Sequence, residues 1–186
     1  MSINNTIIKI FSSKRKSYKS SNRTLKITDK EIRMIEFLHS NNVPYVIEKT
    51  GLTKIADKGS KFQHTINSKI SYDKIAQLIE NEGIKKYENI IAEEGVIIPD
   101  IRTMKAYGDN QFAIIIETSN HFVNHIWLTG KVKDKLSTYQ LLNTFIKFGN
   151  ELDLFVVNWY KPWFYFLYSE DDVKDFVYRC CYKYKD

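Results

Sequence analysis

The sequence predicts an α+β fold, a mostly antiparallel sheet with helices packed on one face, preceded by a basic N-terminal arm. Three observations predict it. From residue 111 onward, apolar segments follow one another as strand, strand, helix, strand, strand, helix, and the short connections between neighbouring strands make them antiparallel. The chain of 186 residues is 43% hydrophobic and 14% aromatic with seven Gly and three Pro, enough apolar material for one real core. The positive charge is confined to one end. Residues 1–30 carry Lys9, Lys14, Arg15, Lys16, Lys19, Arg23, Lys26 and Lys30 against Asp29, a net +7, whereas residues 31–186 balance 20 Lys and Arg against 21 Asp and Glu. The expected organisation is an arm over 1–27 and a single nearly neutral α+β domain over 28–186.

Taken in order, "INNTIIKIF" (3–11) is β-branched and apolar, as in a short strand, and the basic run follows it. Thr28 and Glu31 form a capping box, and Ile32, Ile35 and Leu38 give a helical repeat over about 29–40. Val43 precedes Pro44 and is expected to be extended. "YVIEKT" (45–50) and "KFQHTI" (61–66) read as strands around a loop holding Gly51 and Gly59. Ser71 caps a helix carrying Ile75, Leu78 and Ile79 to Gly83, and Tyr87, Ile90 and Ile91 continue a helical pattern to Gly95. "VIIPDIRTMKAY", the turn "GDN" and "QFAIIIET" predict a hairpin, with "FVNHIWL" (122–128) as a third strand. Leu136, Tyr139, Leu142 and Phe145 predict a helix stopped near Gly149. "LDLFVVN" and "WFYFLY" are a strand pair around Pro162. Ser169 then caps a last helix with Val173, Phe176, Val177, Cys180 and Tyr184 on one face.

The same composition narrows the function. No apolar run approaches the roughly 18 residues of a membrane-spanning helix, and no secretory signal follows the first charges, so no membrane association is expected. The two cysteines, Cys180 and Cys181, are adjacent and cannot easily bridge each other. This points to a reducing intracellular compartment, the cytoplasm or an organelle matrix. Glycine-rich phosphate loops, nucleophile elbows and zinc-ligand spacings are absent, so neither an enzyme nor a cofactor is expected. His121 and His125 stand four apart in "HFVNH", but no third ligand lies nearby in sequence, so no metal is expected either.

In the arm, Lys14, Arg15, Lys16, Lys19 and Arg23 are interleaved with Ser and Asn and with Tyr18. Cations in this spacing neutralise phosphates and release counterions, hydroxyls and amides donate hydrogen bonds, and a tyrosine stacks. A solvated tail and an import presequence are the competing readings, since residues 1–28 contain no acid.

Two resemblances bear on the body. "KPWFYFLYSEDDV" (161–173) loosely resembles the ribonucleoprotein motif of RNA-recognition-motif domains, in which strand aromatics stack on RNA bases. Pro162 and Phe164 stand where that motif has small residues, and no companion motif lies far upstream. That fold is therefore not expected, and what remains is a row of aromatics, Trp163, Phe164, Tyr165, Phe166 and Tyr168. "IIPDIRTMKAYGDNQFAIIIETS" (97–119) resembles the core of PD-(D/E)xK nucleases. The resemblance implies that Asp100 and Glu117 hold a divalent metal, with Glu93 or Glu94 as a further acid. Ser119 occupies the lysine position, which leaves Lys105 or Lys131 to replace it in space.

The expected function is a non-catalytic binding protein, a nucleic-acid- or ribonucleoprotein-associated structural subunit that docks through residues 1–27. The alternative is a protein-directed inhibitor of toxin-immunity or phage-inhibitor type, using Trp159, Trp163, Tyr165 and Tyr168 as interface anchors. A degenerate PD-(D/E)xK-like nuclease is the third reading.

Overall fold

The computed structural model describes residues 23–27, 34–50, 69–92, 103–161 and 163–182. Along the chain these form β1 (Thr24–Ile27), β2 (Ile35–His39), α1 (Val43–Thr50), α2 (Tyr72–Asn81), β3 (Lys85–Lys86), β4 (Asn89–Ala92), β5 (Met104–Gly108), β6 (Phe112–Ser119), β7 (Phe122–Gly130), α3 (Lys135–Leu152), β8 (Leu154–Asn158), β9 (Trp163–Phe166) and α4 (Glu170–Phe176). A π-helical turn, Val177–Cys181, extends α4. Seven strands make one sheet in the order β3-β5-β6-β7-β2-β8-β9, and every neighbouring pair in it is antiparallel. β1 and β4 form a separate parallel pair.

The fold is α+β, as the alternation of segments predicts, and both sheet faces are covered. On one face α2, α3 and α4 bring Ile75, Ile79, Leu141, Phe145, Phe148, Val173 and Phe176 onto Phe37, Ile114, Ile116, Ile126, Leu128 and Val156. Phe37 sits at the centre, 5.0 Å from the Phe145 ring and 5.7 Å from the Phe148 ring, the latter edge-on. On the opposite face the β1–β4 pair lays Leu25, Ile27 and Ile90 over Met104, Ala113, Ile115 and Trp127. The short helix α1 covers Leu38, Phe155 and Val157 with Val46.

Several local expectations differ from the structure. The helix expected over 29–40 is the strand β2 in its described part. Phe37 and Leu38 are adjacent, fully buried and on opposite faces, so this central strand shows no period-two alternation, and its apolar spacing resembles a helix. The strand expected over 45–50 is α1. Val43 is helical (φ −53°, ψ −47°), not extended, because Pro44 falls in the first helical turn, where a missing N–H leaves nothing unpaired. The helix expected through Tyr87 and Ile91 is β3 and β4 instead. Ile90 faces the core while Asn89 and Ile91 face outward, a period of two. In α3, Leu136 and Tyr139 are exposed, and the buried stripe is Leu141, Phe145, Phe148 and Leu152.

The strands expected at 3–11 and 61–66 lie outside the described residues. Of the arm expected over 1–27, residues 24–27 are a strand with Ile27 buried, and residues 1–22 lie outside the described residues.

Gly149 does not stop α3. The helix runs on to Leu152 and ends where Asp153 takes a left-handed conformation (φ 53°). Gly149 is required instead for close approach, because a Cβ there would lie 2.2 Å from the Leu167 carbonyl carbon. Helix propensity alone favours Gly149→Ala by about 1 kcal/mol. The clash with the β9–α4 connection reverses the sign. Gly149→Ala is expected to lower stability by about 1–3 kcal/mol in urea denaturation, and a stabilised variant would contradict this packing.

Candidate functional site

One end of the sheet carries a groove, and its position follows from strand register. Ile35 at the start of β2 lies opposite Leu128 of β7 on one side and Asn158 of β8 on the other. Asn158 in turn lies opposite Trp163 at the start of β9, and Gly130 opposite Phe112. These strand ends, the β5–β6 turn at Asn110 and Gln111, and the last helical turn from Tyr178 to Tyr182 enclose a cavity of about 1170 Å³.

Local chemistry holds its parts in place. Gly130 adopts φ 85°, and a Cβ there would meet the Gln111 carbonyl oxygen at 2.2 Å, so only glycine lets the β5–β6 turn close onto β7. The Lys131 N–H then donates to the Gln111 carbonyl at 2.8 Å. The Gln111 side chain accepts from the Lys133 N–H at 2.6 Å and donates to Asp134. Val132 is buried, and its N–H donates to the Cys181 carbonyl at 2.7 Å. Alternation along the chain therefore turns Lys131 and Lys133 outward on the same side. On the far wall, Asn158 Oδ1 accepts from the Tyr160 and Lys161 N–H groups at 3.1 and 3.3 Å and fixes the β8–β9 turn. Its Nδ2 donates to the Cys180 Sγ at 3.5 Å.

The lining is one-signed. Lys131, Lys133, Lys161 and Arg179 border the groove, and among the described residues no Asp or Glu does. The three lysines form no ion pair among the described residues, and Arg179 is braced by Asp175 one helical turn earlier. Nearby carboxylates are committed elsewhere. Asp109 accepts from the Gln111 N–H at 2.7 Å and the Ser137 hydroxyl at 2.8 Å. Asp134 is the N-cap of α3, accepting from the Ser137 N–H at 2.9 Å. That backbone bond, with the Gln111 amide, holds the Asp134 carboxyl below the ordinary value of 3.8. Among the aromatics at the groove, Tyr160 is 77%, Tyr178 45% and Trp163 42% exposed. The Lys161 Nζ lies 5.5 Å from the Trp163 ring centroid.

The residues singled out in the sequence fall in several places. Of the arm residues, Lys14, Arg15, Lys16, Tyr18 and Lys19 lie outside the described residues. Arg23 is anchored to the body: its guanidinium donates to the Lys86 carbonyl at 3.1 Å and to the Gly108 carbonyl, and sits 4.8 Å from the Tyr87 ring centroid. Trp163 lines the groove. Tyr165 is buried against Phe176, its hydroxyl pushed up to about 12 by desolvation, and belongs to the core rather than to an interface. Tyr168 is exposed and stacks on Phe166. Trp159 turns to the opposite face and donates through Nε1 to the Glu36 carboxylate at 2.9 Å. Cys181 is buried, and desolvation raises its thiol well above its ordinary value, the behaviour of an inert core residue.

Glu117 and His125, weighed in separate patterns, are cross-strand neighbours, with Nε2 and Oε2 4.0 Å apart. His125 Nδ1 meets the buried Glu36 at 3.1 Å and its ring stacks on Trp127. His121 lies apart in the β6–β7 turn at φ 67°. Lys105 pairs with Ile116, on the sheet face opposite Glu117, and Lys131 lies at the other end of the sheet, so neither stands beside Glu117. Asp100, Glu93 and Glu94 lie outside the described residues. Among the described residues, no group of three or more His, Cys, Asp and Glu side chains is arranged to hold a metal, and no helix is long and apolar enough to cross a membrane.

In the sequence Lys131 and Lys161 suggest other roles, a nuclease lysine and the basic start of an aromatic motif, and Lys133 and Arg179 suggest none. The available signal was "GKVK" (130–133), alternating lysines just past a strand, together with "YKPW" (160–163). Comparison of the chain with protein-family models, with curated proteins and with solved structures gives no match.

Loss of the α3 cap is readable in stability. Asp134→Ala is expected to cost about 0.5–2 kcal/mol at neutral pH, and Asp134→Asn, which still caps, less. The depressed carboxyl contributes stability above its ordinary value that is lost as pH falls through the lower folded value. Asp134→Asn should therefore flatten the loss of stability below pH ~4 in acid titrations followed by circular dichroism. An unchanged acid limb would contradict this capping role.

Proposed function

We propose that this is a non-catalytic nucleic-acid-binding protein that holds the polyanion in the sheet-end groove and along its basic N-terminal arm. A nucleoprotein-associated structural subunit is the role this suits. The observation that carries the reading is the groove lining: among the described residues, four cations, no carboxylate and three exposed aromatics. Lys131, Lys133 and Lys161, placed without acidic partners among the described residues, attract phosphate oxygens, and a concave wall concentrates their field.

Arg23, the last of the arm cations singled out above, lies at the same end of the molecule. Arg23 fastens the root of the arm to the Gly108 carbonyl, and the next turn of chain contributes Asn110 and Gln111 to the groove. A polynucleotide lying in the groove therefore passes close to where the cationic segment joins the body. Arg23 serves as the anchor in this arrangement, and Lys14, Arg15, Lys16 and Lys19 supply the phosphate contacts, with Tyr18 available to stack.

Binding is expected to weaken with salt, log K falling against log salt by about 0.7 for each phosphate neutralised on a single strand. The double charge reversal Lys131→Glu with Lys133→Glu should lower affinity for a labelled oligonucleotide at least about tenfold and flatten that slope. Reversal of Lys174, which lies beside Glu170 on the outer face of α4, should change little. Deletion of residues 1–22, which leaves β1 intact, should flatten the slope further. Wild-type affinity in the double variant would overturn the groove as the binding surface.

A further inference from the structure

Building on that reading of the groove, we infer that it takes a single-stranded polynucleotide, seating a base against the Trp163 ring, and discriminates against duplex. In a duplex the bases are stacked inside and the phosphates line a convex exterior. A recessed wall of aromatic rings finds no base face there to stack on. In a single strand each base exposes its faces, and stacking on aromatic side chains tolerates any base.

The placement of Trp163 suits this role. It opens β9, the edge strand of the sheet, and is 42% exposed at the groove. Lys161 Nζ lies over one face of its ring, 5.5 Å from the centroid, so a base stacks either on the ring surface left exposed or in place of the ammonium, which then swings to a neighbouring phosphate. Tyr178, which also lines the groove, is 45% exposed beside Arg179. Lys131 and Lys133 follow β7, which is separated from β9 by β2 and β8. Three strand spacings set that distance at roughly 14–15 Å. The cations thus flank the aromatics from two sides. A single strand crossing the groove meets phosphate-binding charge, then rings, then charge again.

The experiment is fluorescence anisotropy of the full-length chain with a labelled uridine-rich RNA, the matching DNA, and the duplex of each, at one salt concentration. Single strands of RNA or DNA are expected to bind at least about tenfold more tightly than their duplexes. Trp163→Ala should weaken single-strand binding about 5- to 100-fold and leave duplex binding unchanged, and Trp163→Phe should retain most of the affinity. Tyr160→Ala, at a position 77% exposed and free of core contacts, provides a second readout that does not disturb folding, with the same direction expected. Duplex binding as tight as single-strand binding, or wild-type single-strand affinity in folded Trp163→Ala and Tyr160→Ala, would overturn the inference. If Lys131→Glu with Lys133→Glu still loses affinity in that case, the groove stands as a polyanion site and only the strand preference falls. If that variant also binds as wild type, the groove reading itself falls.

Discussion

The structure depends on β2 lying between β7 and β8. Without it the sheet would divide into a four-stranded piece, β3-β5-β6-β7, and the β8–β9 hairpin. Apolar burial on both faces, through Phe37 and Leu38, holds the strand in place. The buried Glu36 adds direction to that attachment. One carboxylate oxygen meets His125 of β7 at 3.1 Å, and the other accepts from Trp159, just past β8, at 2.9 Å. A buried carboxylate is tolerated only when its oxygens are so engaged, and each buried polar group stranded by its removal costs about 1–3 kcal/mol. The groove inherits this arrangement, because Met34 and Ile35 at the entry to β2 form its floor and the Trp159 N–H donates to the Met34 carbonyl at 2.8 Å.

Charge at the site is a local property that net charge conceals. The body beyond residue 30 is close to balanced, yet its acids are not spread evenly. Asp109 and Asp134 are drawn into a turn and a cap, and Glu170, Asp171 and Asp172 gather at the start of α4, where the helix dipole favours them. Glu82 is drawn down between α2 and α3. Burial alone would raise its carboxyl, but the Lys147 and Asn143 bonds outweigh burial and lower it. What remains among the described residues at the sheet end is a surface of cations and rings. The basic arm is thus joined by a second basic feature, built from strand ends rather than from a run of sequence.

This difference explains what could be read in advance. The β5–β6–β7 meander, the β8–β9 hairpin, the α2 and α4 caps at Ser71 and Ser169, and the existence of α3, though not its buried stripe, are local, and each is legible within some twenty to thirty residues. β2 was obscured because burial on both faces erases alternation, and α1 because Pro44 resembles a break where it is an allowed first-turn residue. The groove was harder still. Lys131, Lys161 and Arg179 meet only because the register places the ends of β7, β8 and the π turn together. Trp163 stood out by composition alone, and neighbouring Tyr165, equally prominent in the sequence, faces the core instead.

The most direct measurement is ultraviolet crosslinking of the full-length chain to a uridine oligonucleotide, followed by mass spectrometry of the crosslinked peptides. The account predicts that the label concentrates on the segments holding Tyr160, Trp163 and Tyr178, which are distant in sequence and share one groove. Label confined to other surfaces of the body, or to the arm with none in these segments, would contradict it.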